Sequence, residues 1–284
     1  MQIQEFKQLF FKELSDNYPQ TEIQSFFNLL IEHLLKMNRV EIALQPNLII
    51  GKDDLIFLQD AISKLKKEIP VQYIIGETEF FGLPFKVTND VLIPRPETEE
   101  LVHWIIKDHL DKVQNSELKI LDIGTGSGCI AISLAKNLPN TNVYALDISK
   151  KALKVAEENS LKNNVAIQFI TEDILSIKKL PHQFDIIVSN PPYVRELEKN
   201  QMQQNVLGNE PHLALFVKDE NPLVFYDKIA DLAKTHLKKN GTLYFEINQY
   251  LGEETVQLLH QKGFKEIQLK KDIFEVNRMI KAFL

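Results

Sequence analysis

The strongest constraint on this chain is a rhythm that begins near residue 119 and runs to its end. Seven short apolar runs recur: KILDIG (119–124), NVYALDI (142–148), AIQFITED (166–173), FDIIVSN (184–190), GTLYFEI (241–247), KEIQLKK (265–271) and RMIKAFL (278–284). Between them, helical periodicity shows near 128–137, 150–163, 222–238 and 251–261. Strands alternating with helices predict an α/β fold, a mostly parallel sheet covered on both faces.

The first 75 residues read as helices instead. Thr21 and Gln24 have the spacing of a capping box, followed by Ile23, Phe26, Phe27, Leu30 and Leu34 at helical intervals. A second amphipathic stretch carries Leu55, Leu58, Ile62 and Leu65. The pairs Phe10–Phe11 and Phe26–Phe27 are read as core. Residues 76–95, with Gly76, Gly82, Pro84 and Asn89–Asp90, predict a β-hairpin connector. The expected division is therefore 1–75 as a helical recognition domain, 76–95 as the connector and 96–284 as the α/β domain. A helix is predicted from about Glu97, with acids in its first turn.

Two segments of the α/β region carry chemistry. Gly124-Thr125-Gly126-Ser127-Gly128 follows an apolar strand and opens a helix, so the backbone can turn sharply and approach a ligand. The spacing is G-x-G-x-G, and Cys129 stands where the dinucleotide fingerprint has its third glycine, which argues against a dinucleotide oxidoreductase. Asp147 ends the next strand, where an acid can accept hydrogen bonds from two ribose hydroxyls. Asp122 can steady the loop or face a ligand's ammonium group. Asp173 can take an adenine amino group or cap the following turn, and Ile174 can pack on adenine or fill core.

The second segment is Asn190-Pro191-Pro192-Tyr193, after the fourth strand. Two prolines fix their own φ, and Pro191 keeps Asn190 extended. The result is a rigid shelf offering the Asn190 side-chain oxygen and the Pro191 carbonyl, two acceptors for the two hydrogens of an NH2 group on sp² carbon. Such a nitrogen is a poor nucleophile because its lone pair is delocalised. Holding both hydrogens fixes the face it presents and favours charge developing there. Tyr193 can stack on the flat group or serve as packing.

ILDIGTGSG, ALDIS and SNPPY together resemble the class I methyltransferases of amino-group nitrogens. PVQYIIG (70–76), LIPRPETE (92–99), NPPY (190–193) and NEPHLALF (209–216) resemble, more narrowly, the HemK/PrmC-type release factor glutamine methyltransferases. That resemblance implies a Rossmann-like sheet of seven mostly parallel strands behind a small helical bundle. It implies S-adenosylmethionine as cofactor, bound by Gly124 to Gly128 and Asp147, and Asp173, Ile174 and Asn190 are expected to complete that cofactor site. It also implies a glutamine held by Asn190 to Tyr193, namely that of the Gly-Gly-Gln motif of class 1 release factors, with Asn190, Pro191 and Tyr193 carrying catalysis. Two departures stand out: Ile174 where many relatives have an aromatic residue, and Asn248 where they often have glycine.

Composition narrows the alternatives. A net charge of −6 speaks against a surface that grips nucleic acid, the rival reading being methylation of an exocyclic amino group of DNA or RNA. A single cysteine and scattered histidines give no metal site and fit a reducing, cytoplasmic setting. No apolar run is long enough to span a membrane. A non-catalytic docking relative is disfavoured by the intact Asn-Pro-Pro-Tyr. The protein is expected to act as a monomer on a protein partner. Arg95 is read either as lining a substrate groove or as tying domains by a salt bridge. Residues 194–221 are read as a polar lid, and His212 as a surface histidine.

Overall fold

A computed structural model describes residues 1–111 and 117–284, which divide into two compact units. The first comprises Met1–Gly76 together with Gln203–Asn209, and the second Glu77–Met202 with Glu210–Leu284.

Five helices make most of the first unit: α1 (Ile3–Leu14), α2 (Gln20–Leu35), α3 (Arg39–Ala43), α4 (Lys52–Leu65) and α5 (Val71–Ile75). Their apolar stripes meet in one core of Phe6, Phe10, Phe27, Leu30, Leu58 and Leu65. Phe10 lies edge-on to Phe27, 5.8 Å between centroids, a favoured aromatic geometry. Of each predicted aromatic pair one member is buried and its neighbour packs partly against the core. The capping box is not formed at Thr21. Pro19 occupies the N-cap with φ −62°, so the helix starts at Gln20 and the Gln24 amide turns to Asn28. Proline's fixed φ suits that helix-entry position, which moves the start ahead of Thr21.

The second unit opens with a hairpin of β1 (Glu77–Phe80) and β2 (Leu83–Lys86), as the connector pattern predicts. Then come α6 (Pro96–His109), β3 (Leu118–Ile123), α7 (Cys129–Asn137), β4 (Thr141–Asp147), α8 (Lys150–Lys162), β5 (Ile167–Thr171) and β6 (Phe184–Ser189). A short β7 (Val194–Arg195) and a 3₁₀ turn (Glu196–Gln201) lead to α9 (Gln204–Asn209), α10 (His212–Leu215) and β8 (Phe216–Val217). The chain ends through α11 (Val224–His236), β9 (Leu237–Glu246), α12 (Gly252–Gln261), β10 (Lys265–Lys271) and β11 (Asn277–Phe283). The polar segment expected as a lid thus carries short elements of its own, and β7 pairs with β8.

The seven long strands form one sheet in the order β10-β11-β9-β6-β3-β4-β5. β9 through β5 run parallel, and β11 is antiparallel to both its neighbours. Adjacent residues point to opposite faces. Ile120, Ile186 and Tyr244 therefore enter one core with Leu101, Ile105 and Leu134, while Leu121, Ile187 and Phe245 enter another with Ile229 and Leu259. Burial on both faces is why these strands read as continuous apolar runs. The chain steps from β3 out to β5, then returns to place β6 on the other side of β3. That reversal opens a crevice at the carboxyl ends of β3 and β6, where open α/β sheets bind ligands.

Candidate active site

Register decides what meets at this edge. Ile123 pairs with Ser189 and Ser189 with Phe245, so Gly124, Asn190 and Glu246 follow on three adjacent strands. Ser189 reinforces the alignment by donating its hydroxyl to the Ile123 carbonyl at 2.7 Å.

The glycine loop is held from below and from the side. Gly124 and Thr125 both donate N–H to the Leu146 carbonyl, at 2.8 and 3.1 Å. Asp122 Oδ2 accepts the Thr125 hydroxyl at 2.6 Å and the Ala131 N–H at 3.3 Å, so the loop-steadying reading of this carboxylate holds. Its Oδ1 is buried without a hydrogen-bond partner. Burial pushes the Asp122 carboxyl up to about 7, against the pull of Thr125. Asp147 accepts Gly126 N–H on one oxygen and Ser149 N–H on the other, each at 2.9 Å, and burial raises its pKa too. A carboxylate has about four acceptor positions, so both Asp147 oxygens retain capacity for a ligand hydroxyl. Gly126 has φ +54° and nothing within 4 Å of where a Cβ would stand, leaving open space above the loop. These features fit a nucleoside bearing an amino group.

Asp173 accepts Leu175 N–H at 2.9 Å, which is the turn-capping role, just beyond β5. Ile174 is buried and packs in the core that holds Tyr144 and Leu146.

The shelf is mostly buried, partly at Asn190, Pro192 and Tyr193 and fully at Pro191. Asn190 Nδ2 donates to Thr98 Oγ1 at 3.3 Å, and Thr98 donates its own proton to Glu246 Oε2 at 2.6 Å. Tyr193 donates to the other Glu246 oxygen at 3.1 Å. A Cβ on Gly124 would stand 4.0 Å from the Asn190 carbonyl oxygen, so loop and shelf are immediate neighbours. Burial raises the Glu246 pKa, opposed by hydrogen bonds from Thr98 and Tyr193 and by the Arg278 charge. Burial, with Glu246 beside it, holds the Tyr193 phenol protonated far above its usual range. Asn248 does what its replacement of glycine hid: its Nδ2 donates to the Tyr193 carbonyl at 2.9 Å and to the Glu198 carboxylate at 3.0 Å.

Arg95 pairs with Glu210 at 2.6 Å, and Glu210 also accepts Ile93 N–H at 3.4 Å. Both partners belong to the second unit, so this ion pair joins the connector to NEPHLALF rather than one unit to the other. The His212 ring lies 5.2 Å from that of Phe216. Thr98, Glu246 and Asn248 went unassigned from sequence. Glu246 alone carried a usable signal, an acid at the carboxyl end of a central parallel strand.

Comparison with known proteins follows the same lines. Residues 8–76 match the PrmC N-terminal domain and residues 105–215 the Methyltransferase small domain. A release factor glutamine methyltransferase of Flavobacterium psychrophilum is 54% identical over 99% of both chains. Another from Bacteroides thetaiotaomicron is 43% identical over 95% of this chain and 96% of its own. A solved methyltransferase from Pyrococcus furiosus shares the fold, with a TM-score of 0.54 at 19% identity, covering 78% of this chain and 98% of that one.

Proposed function

The chain belongs to the release factor glutamine methyltransferase family, and we propose how that activity runs at this site. The enzyme methylates a glutamine side-chain nitrogen of a peptide chain release factor, with S-adenosylmethionine as donor. The target we assign is the glutamine of the Gly-Gly-Gln motif of class 1 factors, approached as protein and without nucleic acid, by a monomer in the cytoplasm. Among the described residues no helix is long and apolar enough to cross a membrane.

S-adenosylmethionine supplies a methyl group on a positively charged sulfur. Gly124 to Gly128 would hold it through their backbone, with Asp122 Oδ1 toward its ammonium group and Asp147 toward its ribose. Asp173 and Ile174 would flank the adenine. Asn190 Oδ1 and the Pro191 carbonyl accept the two hydrogens of the substrate amide, so its nitrogen is fixed with one face toward the loop. Tyr193 stacks on the amide plane and excludes water. As the lone pair leaves the π system, positive charge grows on nitrogen, and the two acceptors stabilise it more than they stabilise the neutral amide. Asn190 is neutral and takes no proton; the proton departs after transfer.

The observation that supports this most is the register that sets Gly124 beside Asn190. The test is transfer of labelled methyl to purified release factor, wild type and with its Gly-Gly-Gln glutamine replaced. Label in the wild-type factor only, undiminished by nuclease, is the expected result. Label confined to nuclease-sensitive material overturns the assignment in favour of a nucleic-acid amine.

A further inference from the structure

Asn190 works as an acceptor only if its carboxamide is turned the right way. Rotated by half a turn, it would present Nδ2, a donor, to the two hydrogens of the substrate amide. Oxygen and nitrogen of an amide are nearly isosteric, so shape does little to choose between the two orientations. Hydrogen-bond logic can choose. Thr98 has one hydroxyl proton, and it is given to Glu246 Oε2 at 2.6 Å. The Thr98 oxygen is then left to accept, and what it accepts is Asn190 Nδ2 at 3.3 Å. While that proton lies on the Glu246 side, Thr98 has none left to give an amide oxygen, so a flipped Asn190 would set oxygen against oxygen.

The three residues come from distant parts of the chain. Asn190 and Glu246 follow the paired residues Ser189 and Phe245 of neighbouring strands, and Thr98 sits in the first turn of α6. Thr98 and Glu246 are almost fully buried, which shields the relay from water. The same carboxylate takes the Tyr193 hydroxyl, so it fixes both ends of the shelf.

We propose that Glu246, acting through Thr98, is the positioning device that locks the Asn190 carboxamide with its oxygen toward the substrate amide. This rests on the reading of Asn190 as the substrate acceptor. Neither residue touches substrate; both act by orienting one that does.

Thr98→Val keeps the volume and removes the hydroxyl, while Thr98→Ser keeps the hydroxyl. The experiment measures kcat and KM of both for release-factor methylation, beside Asn190→Ala, with S-adenosylmethionine affinity by calorimetry. Loss of orientation predicts a kcat drop of about 100-fold in Thr98→Val, with cofactor affinity held, and recovery to within about tenfold in Thr98→Ser. Packing damage alone would move cofactor affinity and melting temperature as well. Wild-type kcat in Thr98→Val, with Asn190→Ala inactive, rejects the lock and leaves the shelf standing. Full activity of Asn190→Ala removes the shelf itself. Should Thr98→Val fail to fold, Thr98→Ala, which also lacks the hydroxyl, is measured in its place, and wild-type kcat there rejects the lock equally.

Discussion

Asp122 sits under the glycine loop with one oxygen bound to Thr125 and Ala131 and the other buried without a partner. Its folded pKa, about 7, lies above the 3.8 of an unperturbed carboxyl. The folded state therefore holds this proton more tightly than the unfolded state does. The stabilisation is complete below pH 3.8 and is lost as pH rises to about 7, by up to roughly 4 kcal/mol. Asp122→Asn cannot titrate, so the ligand-free variant should lose less stability across that window than wild type. Urea denaturation at pH 4.5 and pH 8 reads the difference, and parallel losses would show that Asp122 stays ionised throughout. The placement of single residues was legible in the sequence where a motif and a strand end coincide, as at Asp147, which ends β4, and Asn190, which follows β6. The contact of Thr98 was not, because Glu246 lies 148 positions away and only the packing of α6 on the sheet brings the two together.

At the scale of elements, hydrophobic period carried the most information. The helices expected near 128–137, 150–163, 222–238 and 251–261 are α7, α8, α11 and α12, since each needs an apolar stripe against the sheet. The short elements between residues 194 and 217 gave no such signal. They are held by polar contacts, Glu198 to Asn248 and Glu210 to Arg95, whose partners lie far off in sequence. The glycine loop shows how one motif serves two ends. Gly128, φ +83°, caps α7, and a Cβ there would come within 2.9 Å of Ile132 and 3.1 Å of Ala156 on α8. Gly126, φ +54°, faces open space. Gly128→Ala combines left-handed strain with overpacking and should cost about 3 kcal/mol, whereas Gly126→Ala should cost about 1 kcal/mol and chiefly weaken the cofactor. Denaturation curves and calorimetric titration with S-adenosylmethionine separate the two. A Gly126→Ala protein less stable than Gly128→Ala would mean that the loop, not the helix packing, governs stability here.

At the scale of the whole molecule, the chain passes between its two compact units at residues 76–77, 202–203 and 209–210. The first crossing was legible as a change from helical period to Gly- and Pro-marked extended segments. The other two were not, since residues 203–209 are polar and lie inside the second unit's sequence, yet Asn209 Nδ2 donates to the Glu68 carbonyl of the first. Each unit has its own buried core, and the proposed cofactor residues all belong to the second. Ligand binding stabilises what it binds by mass action, so S-adenosylmethionine should raise the thermal transition of the second unit only. Phe10 is fully buried in the first core against Phe6 and Phe27. Phe10→Ala removes a ring from that core and should destabilise the first unit by about 3–5 kcal/mol. Scanning calorimetry should then show its transition lowered, while the cofactor-sensitive transition and the cofactor dissociation constant stay as in wild type. A single transition moved by both the substitution and the cofactor would establish that the two cores unfold as one cooperative body, and that damage among the front helices reaches the methyl-transfer site through stability.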